Sequence, residues 1–194
     1  MRPLDPAAAR TLGLQARRAL RAGDRAERSR RIVTRLLGLP ELAGARRVAG
    51  YVAMADEVDV WGLWAGLAGR GTSVVLPRLC GGAEATLEFV DWSPSAPMAA
   101  NRFGIPEPAG PATALDEIDV VLLPCAAVDD HGTRVGMGKG YYDRTLAGVG
   151  AGGPALVGVA FDDQRMARIA ANPWDVPLGV VVTEDLVLRP SGAG

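Results

Sequence analysis

The stretch Ile118-Asp-Val-Val-Leu-Leu-Pro124 decides the fold class of this 194-residue chain. A continuous apolar run of this length is typical of a strand that is buried on both faces of a parallel sheet. Shorter strand-like runs lie on either side of it, at residues 48–53, 72–77, 86–92, 155–160 and 179–183. Helices are expected between the runs, at residues 59–69, 141–149 and 163–170. Because strands alternate with helices, we predict a single α/β domain over residues 1–194, with three layers and a mostly parallel sheet.

The first 35 residues are strongly basic. They carry ten arginines against Asp5, Asp24 and Glu27, a local charge of +7, whereas the whole chain has a net charge of −1. Residues 6–38 predict two helices that break beside Gly23, since Asp24 and Glu27 have the spacing of a capping box. Three interpretations are open for the arginines: solvated positions on surface helices, contacts with an anionic ligand, or contacts with nucleic acid. The acidic remainder of the chain and the lack of a nucleic-acid motif make the third the weakest.

Composition excludes several classes of protein. The chain is 48% hydrophobic and 22% charged, which is typical of a soluble globular protein rather than a disordered one. Its longest apolar stretch, Val120–Val128, is far shorter than the roughly 20 residues of a membrane span, and the N-terminus lacks the apolar core of a signal peptide. Cys80 and Cys125 form no CxxC pair and His131 is the only histidine, so neither a disulfide framework nor a zinc site is expected. A cytoplasmic location is expected.

The segment that follows the buried strand carries the strongest chemical signal. Residues 128–144 read Val-Asp-Asp-His-Gly-Thr-Arg-Val-Gly-Met-Gly-Lys-Gly-Tyr-Tyr-Asp-Arg. Its glycines let backbone N–H groups approach phosphate oxygens, and the helix expected just afterwards adds partial positive charge at its N-terminus. Arg134 and Lys139, which is the only lysine of the chain, can neutralise phosphate charge. Asp143 can hold a magnesium ion that bridges the phosphates. In an open parallel sheet, ligands bind beyond strand ends of this kind.

The segment matches neither of two common phosphate-binding fingerprints. A P-loop has a glycine six residues before its lysine, where this chain has Thr133, and a Ser or Thr after it, where this chain has Gly140. The pattern is not G-x-G-x-x-G either, because the third glycine comes one residue early. A flexible surface loop is the competing interpretation, and the presence of the only lysine inside the segment argues against it.

Residues 134–144, Arg-Val-Gly-Met-Gly-Lys-Gly-Tyr-Tyr-Asp-Arg, resemble the signature of the 5-formyltetrahydrofolate cyclo-ligase (methenyltetrahydrofolate synthetase) family. Weaker likenesses follow the family's order along most of the chain, at residues 50–59, 76–77, 103–108, 119–124, 164, 175–178 and 182–184. The resemblance implies a three-layer α/β/α Rossmann-like sandwich with the N-terminal helices packed on the sheet. It also implies ATP- and Mg²⁺-dependent conversion of 5-formyltetrahydrofolate to 5,10-methenyltetrahydrofolate, with release of ADP and phosphate.

The same resemblance implies a role for individual residues. The catalytic residues would be Arg134, Lys139 and Tyr141. ATP, the co-substrate, would be bound by Arg10 and by Arg134, Val135, Gly136, Met137, Gly138, Lys139, Gly140, Tyr141 and Tyr142. Of these, Met137, Gly138, Lys139, Gly140 and Tyr141 would also face the formyl end of the folate. The rest of the folate would contact Val52, Met54, Glu57 and Phe103, with Glu57 hydrogen-bonding the pterin. The magnesium ligands would be Asp143 and Asp175.

Plainer interpretations compete with several of these roles. Val52 and Met54 follow a predicted strand, where ordinary core packing is an alternative to ligand contact. Core packing is favoured for Trp61 and Trp64. For Glu57 the alternative is a surface carboxylate at the end of a strand.

The sequence departs from the family pattern at its N-terminus. The family usually begins with a Lys-x-x-Leu-Arg segment whose basic side chains reach the phosphates, but Ala7 and Thr11 stand at those two basic positions. Arg10 lies one residue away, so we predict that this helix still supplies phosphate charge through Arg10, with Arg17 as the second candidate. Trp174 also stands where the family has a histidine. The alternative is therefore a catalytically weak or substrate-shifted member that binds ATP or folate, and a more remote one is a nucleic-acid-associated module. The leading prediction expects small-molecule partners, no nucleic acid, no membrane and a monomer.

Overall fold

The computed structural model describes residues 2–81, 85–150 and 152–190. The helices in these ranges are α1 (Pro6–Ala19), α2 (Ala22–Leu37), α3 (Pro40–Ala43), α4 (Trp61–Ala68) and α5 (Tyr141–Thr145). The strands are β1 (Arg47–Ala49), β2 (Ser73–Leu79), β3 (Leu87–Trp92), β4 (Met98–Ala100), β5 (Pro106–Pro108), β6 (Ala112–Thr113), β7 (Val120–Pro124), β8 (Ala127–Asp129), β9 (Arg134–Val135), β10 (Ala155–Val159), β11 (Arg165–Met166), β12 (Val180–Val182) and β13 (Val187–Leu188). Within the described residues, no helix is both long enough and apolar enough to cross a bilayer.

Eight strands form the main sheet, in the order β13-β12-β10-β7-β1-β2-β3-β6. The five strands from β12 to β2 run parallel, and β13, β3 and β6 pair antiparallel at the two edges. The strand predicted from the apolar run is β7, and it lies in the middle of the sheet, where Val121 is opposite Ala49 of β1 and Leu156 of β10. The first four residues of β7 are buried, which confirms a strand covered on both faces.

Helices cover the two faces of the main sheet unequally. One face packs against α2, α3 and α4, in a core that contains Ile32, Leu42 and Trp64. The other face is covered by the short α5 region with Leu146 and by loop residues such as Leu178. The fold is therefore mixed α/β with a large, mostly parallel sheet. The three-layer Rossmann-like arrangement stays a prediction.

Helix α1 packs on the 3₁₀ turn Asp162–Gln164 and on a second, three-stranded sheet, β11-β8-β9, rather than on the main sheet where it was predicted. The contact is close because Gly13 faces the backbone: a Cβ at this position would lie 2.1 Å from the carbonyl oxygen of Ala126. Arg10, Gly13 and Arg17 lie on one side of the helix, since residues three, four and seven apart share a face. The close backbone contact therefore directs both arginines towards the strand ends.

Helix α4 begins at Trp61, two residues after the predicted start; Asp59 lies just before the helix, where its carboxylate accepts a hydrogen bond from the N–H of Trp61 at 2.9 Å. Leu63 and Trp64 are buried, which confirms core packing for Trp64. The same prediction is wrong for Trp61, which is 52% exposed. Trp61 lies to one side of the buried face of the helix and packs edge-on with Trp92, at 5.1 Å between ring centroids.

Two other local predictions are wrong. The predicted helix at 163–170 is absent, and a 3₁₀ turn (Asp162–Gln164) followed by β11 stands in its place. Helix α2 begins at Ala22, so Asp24 lies in its first turn and does not cap it. The segment 93–114 is mostly loop with three short strands: β6 pairs with β3 at the edge of the main sheet, whereas β4 and β5 pair with each other as a separate two-stranded sheet.

Candidate functional site

The ends of β2 and β7 open into a cavity of about 490 Å³, within the range of roughly 300–1,000 Å³ that is typical of small-molecule sites. The cavity lies at the carboxyl ends of parallel strands, which is the edge that the sequence predicts. Every residue assigned to the site from the sequence lines it: Arg10, Val52, Met54, Glu57, Phe103, residues 134–142, Asp143 and Asp175. The fold thus brings together side chains from five separate parts of the chain, and their individual roles stay predictions.

Two arginines hold the glycine loop, which we define as residues 136–140, by its carbonyl groups. The Arg10 Nε donates to the carbonyl oxygen of Gly136 at 2.8 Å, and the Arg144 Nη2 donates to the carbonyl oxygen of Lys139. In a trans peptide the carbonyl and the following N–H point in opposite directions, and the described chain contains no cis peptide. The N–H groups that follow these two carbonyls therefore point away from the guanidinium groups.

The glycine loop presents unpaired donors. The N–H groups of residues 137–140 have no acceptor among the described residues. Gly138 and Gly140 have φ values of 85° and 66°, in the left-handed region that glycine adopts without strain. Successive N–H groups in such turns form a concave site for anions. The side chain of Lys139 is exposed beside them, so the loop offers both amide donors and an ammonium group.

Arg134 places a buried cation behind the glycine loop. Its side chain is 3% exposed, and its Nη2 donates to Oδ1 of Asp143 at 2.5 Å. Its guanidinium carbon lies 5.8 Å from the centroid of the Tyr142 ring. The Arg134 Nε is buried and has no acceptor among the described residues. Because leaving a buried donor unpaired costs about 1–3 kcal/mol, this side chain suits a site that receives an anion.

The carboxylates of Asp143 and Asp175 both line the cavity, as expected for the predicted magnesium ligands. Oδ1 of Asp143 accepts from Arg134, and Oδ2 of Asp175 accepts from the N–H and the side-chain nitrogen of Asn172, at 2.7 and 3.1 Å. The other oxygen of each carboxylate receives no hydrogen bond from the described residues. These residues contain no cluster of three or more metal-ligating side chains. The donor set nevertheless fits Mg²⁺, which commonly takes one or two carboxylates and completes its shell with phosphate oxygens and water.

Glu57 lies in the loop after β1 and is only 9% exposed, so its interpretation as a surface carboxylate is wrong. Its Oε2 accepts from the N–H of Met54 at 3.0 Å, and its Oε1 accepts from Nη1 of Arg17 at 3.4 Å. Burial raises the pKa of the Glu57 carboxyl, while the Met54 N–H and the positive charge of Arg17 act in the opposite direction. Val52 and Met54 are half-buried and line the cavity, so they are available to a ligand as well as packing on the core.

Phe103 lies at the wall of the cavity and is 51% exposed. Its ring meets Tyr141 edge-on, with 6.4 Å between the centroids. Asn101, which the sequence analysis missed, builds this loop, because its Oδ1 accepts from the N–H of Phe103 at 2.8 Å and its Nδ2 donates to Glu107 at 2.7 Å. Asparagine at the start of a turn that contains Gly104 was the available signal, since Asn side chains commonly accept from the backbone two residues ahead.

The arginines of α1 and α2 differ in exposure: Arg18, Arg21, Arg30 and Arg31 are at least half exposed and pair with carboxylates at the surface, as the solvated interpretation expects, whereas Arg17 is buried. Arg17 is 2% exposed and lies between Asp56 and Glu57, so it does not reach the glycine loop as the second source of phosphate charge. Only its burial in the tertiary structure reveals this. Further pairs join Arg21 to Asp24, Arg28 to Asp163 and Glu184, Arg30 to Glu27, and Arg31 to Asp185.

Comparison with known proteins indicates the family of the chain. Residues 6–184 match the model of the 5-formyltetrahydrofolate cyclo-ligase family. The chain is 34% identical over 176 residues to the 5-formyltetrahydrofolate cyclo-ligase of Escherichia coli K12, covering 89% of this chain and 97% of that protein. It is 34% identical over 188 residues to that of Mycolicibacterium smegmatis, covering 94% and 95%. The structure of Aquifex aeolicus 5,10-methenyltetrahydrofolate synthetase superposes with a TM-score of 0.80 at 30% identity, covering 95% of this chain and 92% of that one. The chain therefore belongs to the 5-formyltetrahydrofolate cyclo-ligase family of enzymes.

Proposed function

We propose that the protein converts 5-formyltetrahydrofolate to 5,10-methenyltetrahydrofolate in a reaction that consumes ATP, requires Mg²⁺ and releases ADP and phosphate. The family supports the overall reaction. The observation that carries the nucleotide part is the run of unpaired N–H groups at residues 137–140, beside the cations of Lys139 and Arg134. A triphosphate supplies the anionic oxygens that these donors lack.

The triphosphate binds along the glycine loop, with Arg134, Lys139 and Arg10 neutralising its charge. Arg10 contributes although it stands one residue from the family's basic position, because its Nε already reaches the carbonyl of Gly136 and its side chain lines the cavity. Asp143 and Asp175 would hold Mg²⁺, which would neutralise further phosphate charge when bound. The ion pair between Arg134 and Asp143 fixes the Arg134 side chain, so its guanidinium group is preorganised before the nucleotide binds.

The chemistry needs activation of the formyl oxygen, which is a poor leaving group. Transfer of the γ-phosphoryl group of ATP to that oxygen forms an O–P bond and releases ADP. N10 then attacks the formyl carbon and loses its proton, and cleavage of the C–O bond expels phosphate and leaves the N5–CH–N10 bridge. These steps depend on positioning and charge neutralisation more than on a strong protein base. The donors of the glycine loop and Lys139 suit that requirement, and Tyr141 lies beside them at the formyl end.

The folate occupies the remainder of the cavity. The carboxylate of Glu57 accepts hydrogen bonds from the N–H and amino groups of the pterin, and Val52 and Met54 pack against its rings. Phe103 and Tyr141 offer aromatic surface to the rest of the molecule. The apolar walls and few polar groups suit a flat heterocycle held by a small number of directed hydrogen bonds.

Formation of methenyltetrahydrofolate, followed by its absorbance with the purified protein, tests the proposal. Product is expected only when ATP, Mg²⁺ and 5-formyltetrahydrofolate are all present, with one ADP released per product. Binding of ATP and folate without turnover would instead favour the weak or substrate-shifted member. Salt-sensitive binding of an oligonucleotide, without Mg²⁺-dependent binding of ATP, would favour the nucleic-acid module.

We also propose that the protein acts as a monomer in the cytoplasm. Both cysteines are free, which suits a reducing compartment. The residues assigned to the site from the sequence all meet in one cavity of this chain, which supports the proposal of a monomer. Sedimentation of the active protein as a dimer would refute the first part of this proposal, and fractionation of cells tests the second.

A further inference from the structure

Arg17 is a charged side chain buried where the proposed reaction does not use it. Its Nη2 donates to Oδ1 of Asp56 at 3.0 Å, and its Nη1 donates to Oε1 of Glu57 at 3.4 Å. Its Nε is buried and has no acceptor among the described residues. Burying a guanidinium group carries a large desolvation penalty, which a close ion pair only partly offsets. A stabilising role alone therefore explains this residue poorly.

Hydrogen bonds fix both oxygens of the Glu57 carboxylate. Oε1 is held by Arg17 and Oε2 by the N–H of Met54, while the carboxylate itself lines the cavity and Arg17 does not. Arg17 is placed for this contact by α1, because Gly13 brings the helix against the backbone at Ala126. The helix and the loop after β1 are thus joined by charged contacts of Arg17 and Arg18, of which only that between Arg17 and Glu57 reaches a carboxylate that lines the cavity.

Other ionisable groups also act on Glu57. Asp56 raises the pKa of its carboxyl, as burial does, whereas Arg17 lowers it. Burial raises the pKa values of Tyr51, Tyr142 and Cys125, and the negative charge of Glu57 adds a smaller contribution in the same direction. Among the described residues, Arg17 is the cation within ion-pair distance of Glu57.

We propose that Arg17 is a positioning residue for the substrate: it holds the Glu57 carboxylate ionised and oriented, so that Glu57 accepts paired hydrogen bonds from the adjacent N–H and amino groups of the pterin. This inference rests on the proposed function. A carboxylate that faces two neighbouring donors must be charged and must keep its plane aligned with them. Arg17 supplies the charge and Met54 completes the alignment, without either residue contacting the reacting atoms.

Replacement by methionine tests the proposal, because R17M keeps much of the apolar volume and removes the charge. We expect KM for 5-formyltetrahydrofolate to rise about tenfold or more, as for loss of a charged hydrogen bond, while KM for ATP changes less than about twofold. Since the carboxyl of Glu57 then protonates more readily, the fall of kcat/KM for folate on acidification should move to higher pH. R17K should give a smaller change in both quantities.

R18M is the matched control, since Arg18 is the next residue of the helix, is 65% exposed and contacts only the Asp56 side of the cluster. It should resemble the wild type. In the E57Q background, R17M should add little to the loss that E57Q causes alone.

Equal changes in both KM values with an unaltered pH profile would show that Arg17 is merely structural, and wild-type folate KM in R17M would also overturn the inference. If R17M does not fold, as judged by circular dichroism, the pH profile of R17K decides. Direct binding of folate to the wild type separates this inference from the proposed function: a wild type that neither binds nor converts folate contradicts the function itself.

Discussion

The contact of Gly13 with the backbone predicts a large effect for a single methyl group. In Gly13→Ala the new Cβ would lie 2.1 Å from the carbonyl oxygen of Ala126 and 3.1 Å from Cβ of Ala127. Ordinary contact begins at 3.4 Å, so α1 must move by about 1.3 Å at this point. The obstacle is a carbonyl group of the backbone between β7 and β8, which cannot rotate away as a side chain would. The helix therefore has to move away from the strand backbone.

The magnitude follows from two opposing effects. Overpacking costs about 1–3 kcal/mol, and an immobile obstacle places Gly13→Ala at the upper end of that range. Alanine returns about 1 kcal/mol through its higher helix propensity. We expect a net loss of about 2 kcal/mol, or roughly 4–8 °C in Tm for a chain of this size. Since Arg10 and Arg17 move with the helix, KM should rise for both ATP and folate, and a displacement near 1 Å can lower activity by about 100-fold.

Thermal unfolding and steady-state kinetics measure these effects, with Gly23→Ala as the control. Gly23 lies in the first turn of α2, where an added Cβ meets nothing within 4 Å. The same chemical change there should leave the kinetics unaltered and stabilise the protein slightly. If Gly13→Ala matches Gly23→Ala in Tm and in both KM values, the packing argument is refuted.

Three further predictions concern the phosphate end of the site. Asp143→Asn should lower kcat by about tenfold or more, because a neutral amide is a weaker ligand for Mg²⁺. It should leave Tm within a few degrees, because the amide oxygen still accepts the hydrogen bond of Arg134. Measurement of kcat against Mg²⁺ concentration checks this, and near-normal activity at limiting Mg²⁺ would contradict it. Lys139→Ala and Arg134→Ala should each raise KM for ATP in steady-state kinetics. The effect should be larger at Arg134, because its planar guanidinium group orients a phosphate as well as neutralising its charge. Wild-type kinetics in Lys139→Ala would show that the only lysine of the chain has no role in the reaction. Arg10→Ala should weaken ATP binding about five- to tenfold in calorimetry, because it removes a cation and the hydrogen bond to the carbonyl of Gly136. Arg46→Ala is the control and should leave the affinity unchanged, because Arg46 is exposed and does not line the cavity. Unchanged ATP affinity in Arg10→Ala and in a chain lacking residues 1–11 would show that α1 has no role at the phosphates.

The central strand and the glycine loop could be predicted from the sequence because the forces that shape them are local. A run of apolar residues such as Val120–Leu123 has no stable position except between two covered faces, and it is found there with all four residues buried. The glycines at 138 and 140 adopt positive φ, which other residues rarely do, so their spacing already indicated a sharply turning loop. The composition of each segment was sufficient for these two features.

The remaining features depend on partners far away in the sequence, so only the tertiary structure decided them. The contact of Arg10 with Gly136 joins residues 126 positions apart, and that of Arg17 with Glu57 joins residues 40 positions apart. Both arginines lie on one basic helix, yet one reaches the glycine loop and the other is buried against carboxylates. A long, flexible side chain takes whichever partner the packing of its helix brings within reach, and here the close approach of Gly13 to Ala126 sets that packing. The sequence by itself determined the central strand and the phosphate-type loop, whereas the choice of partner for each arginine came from the position of α1.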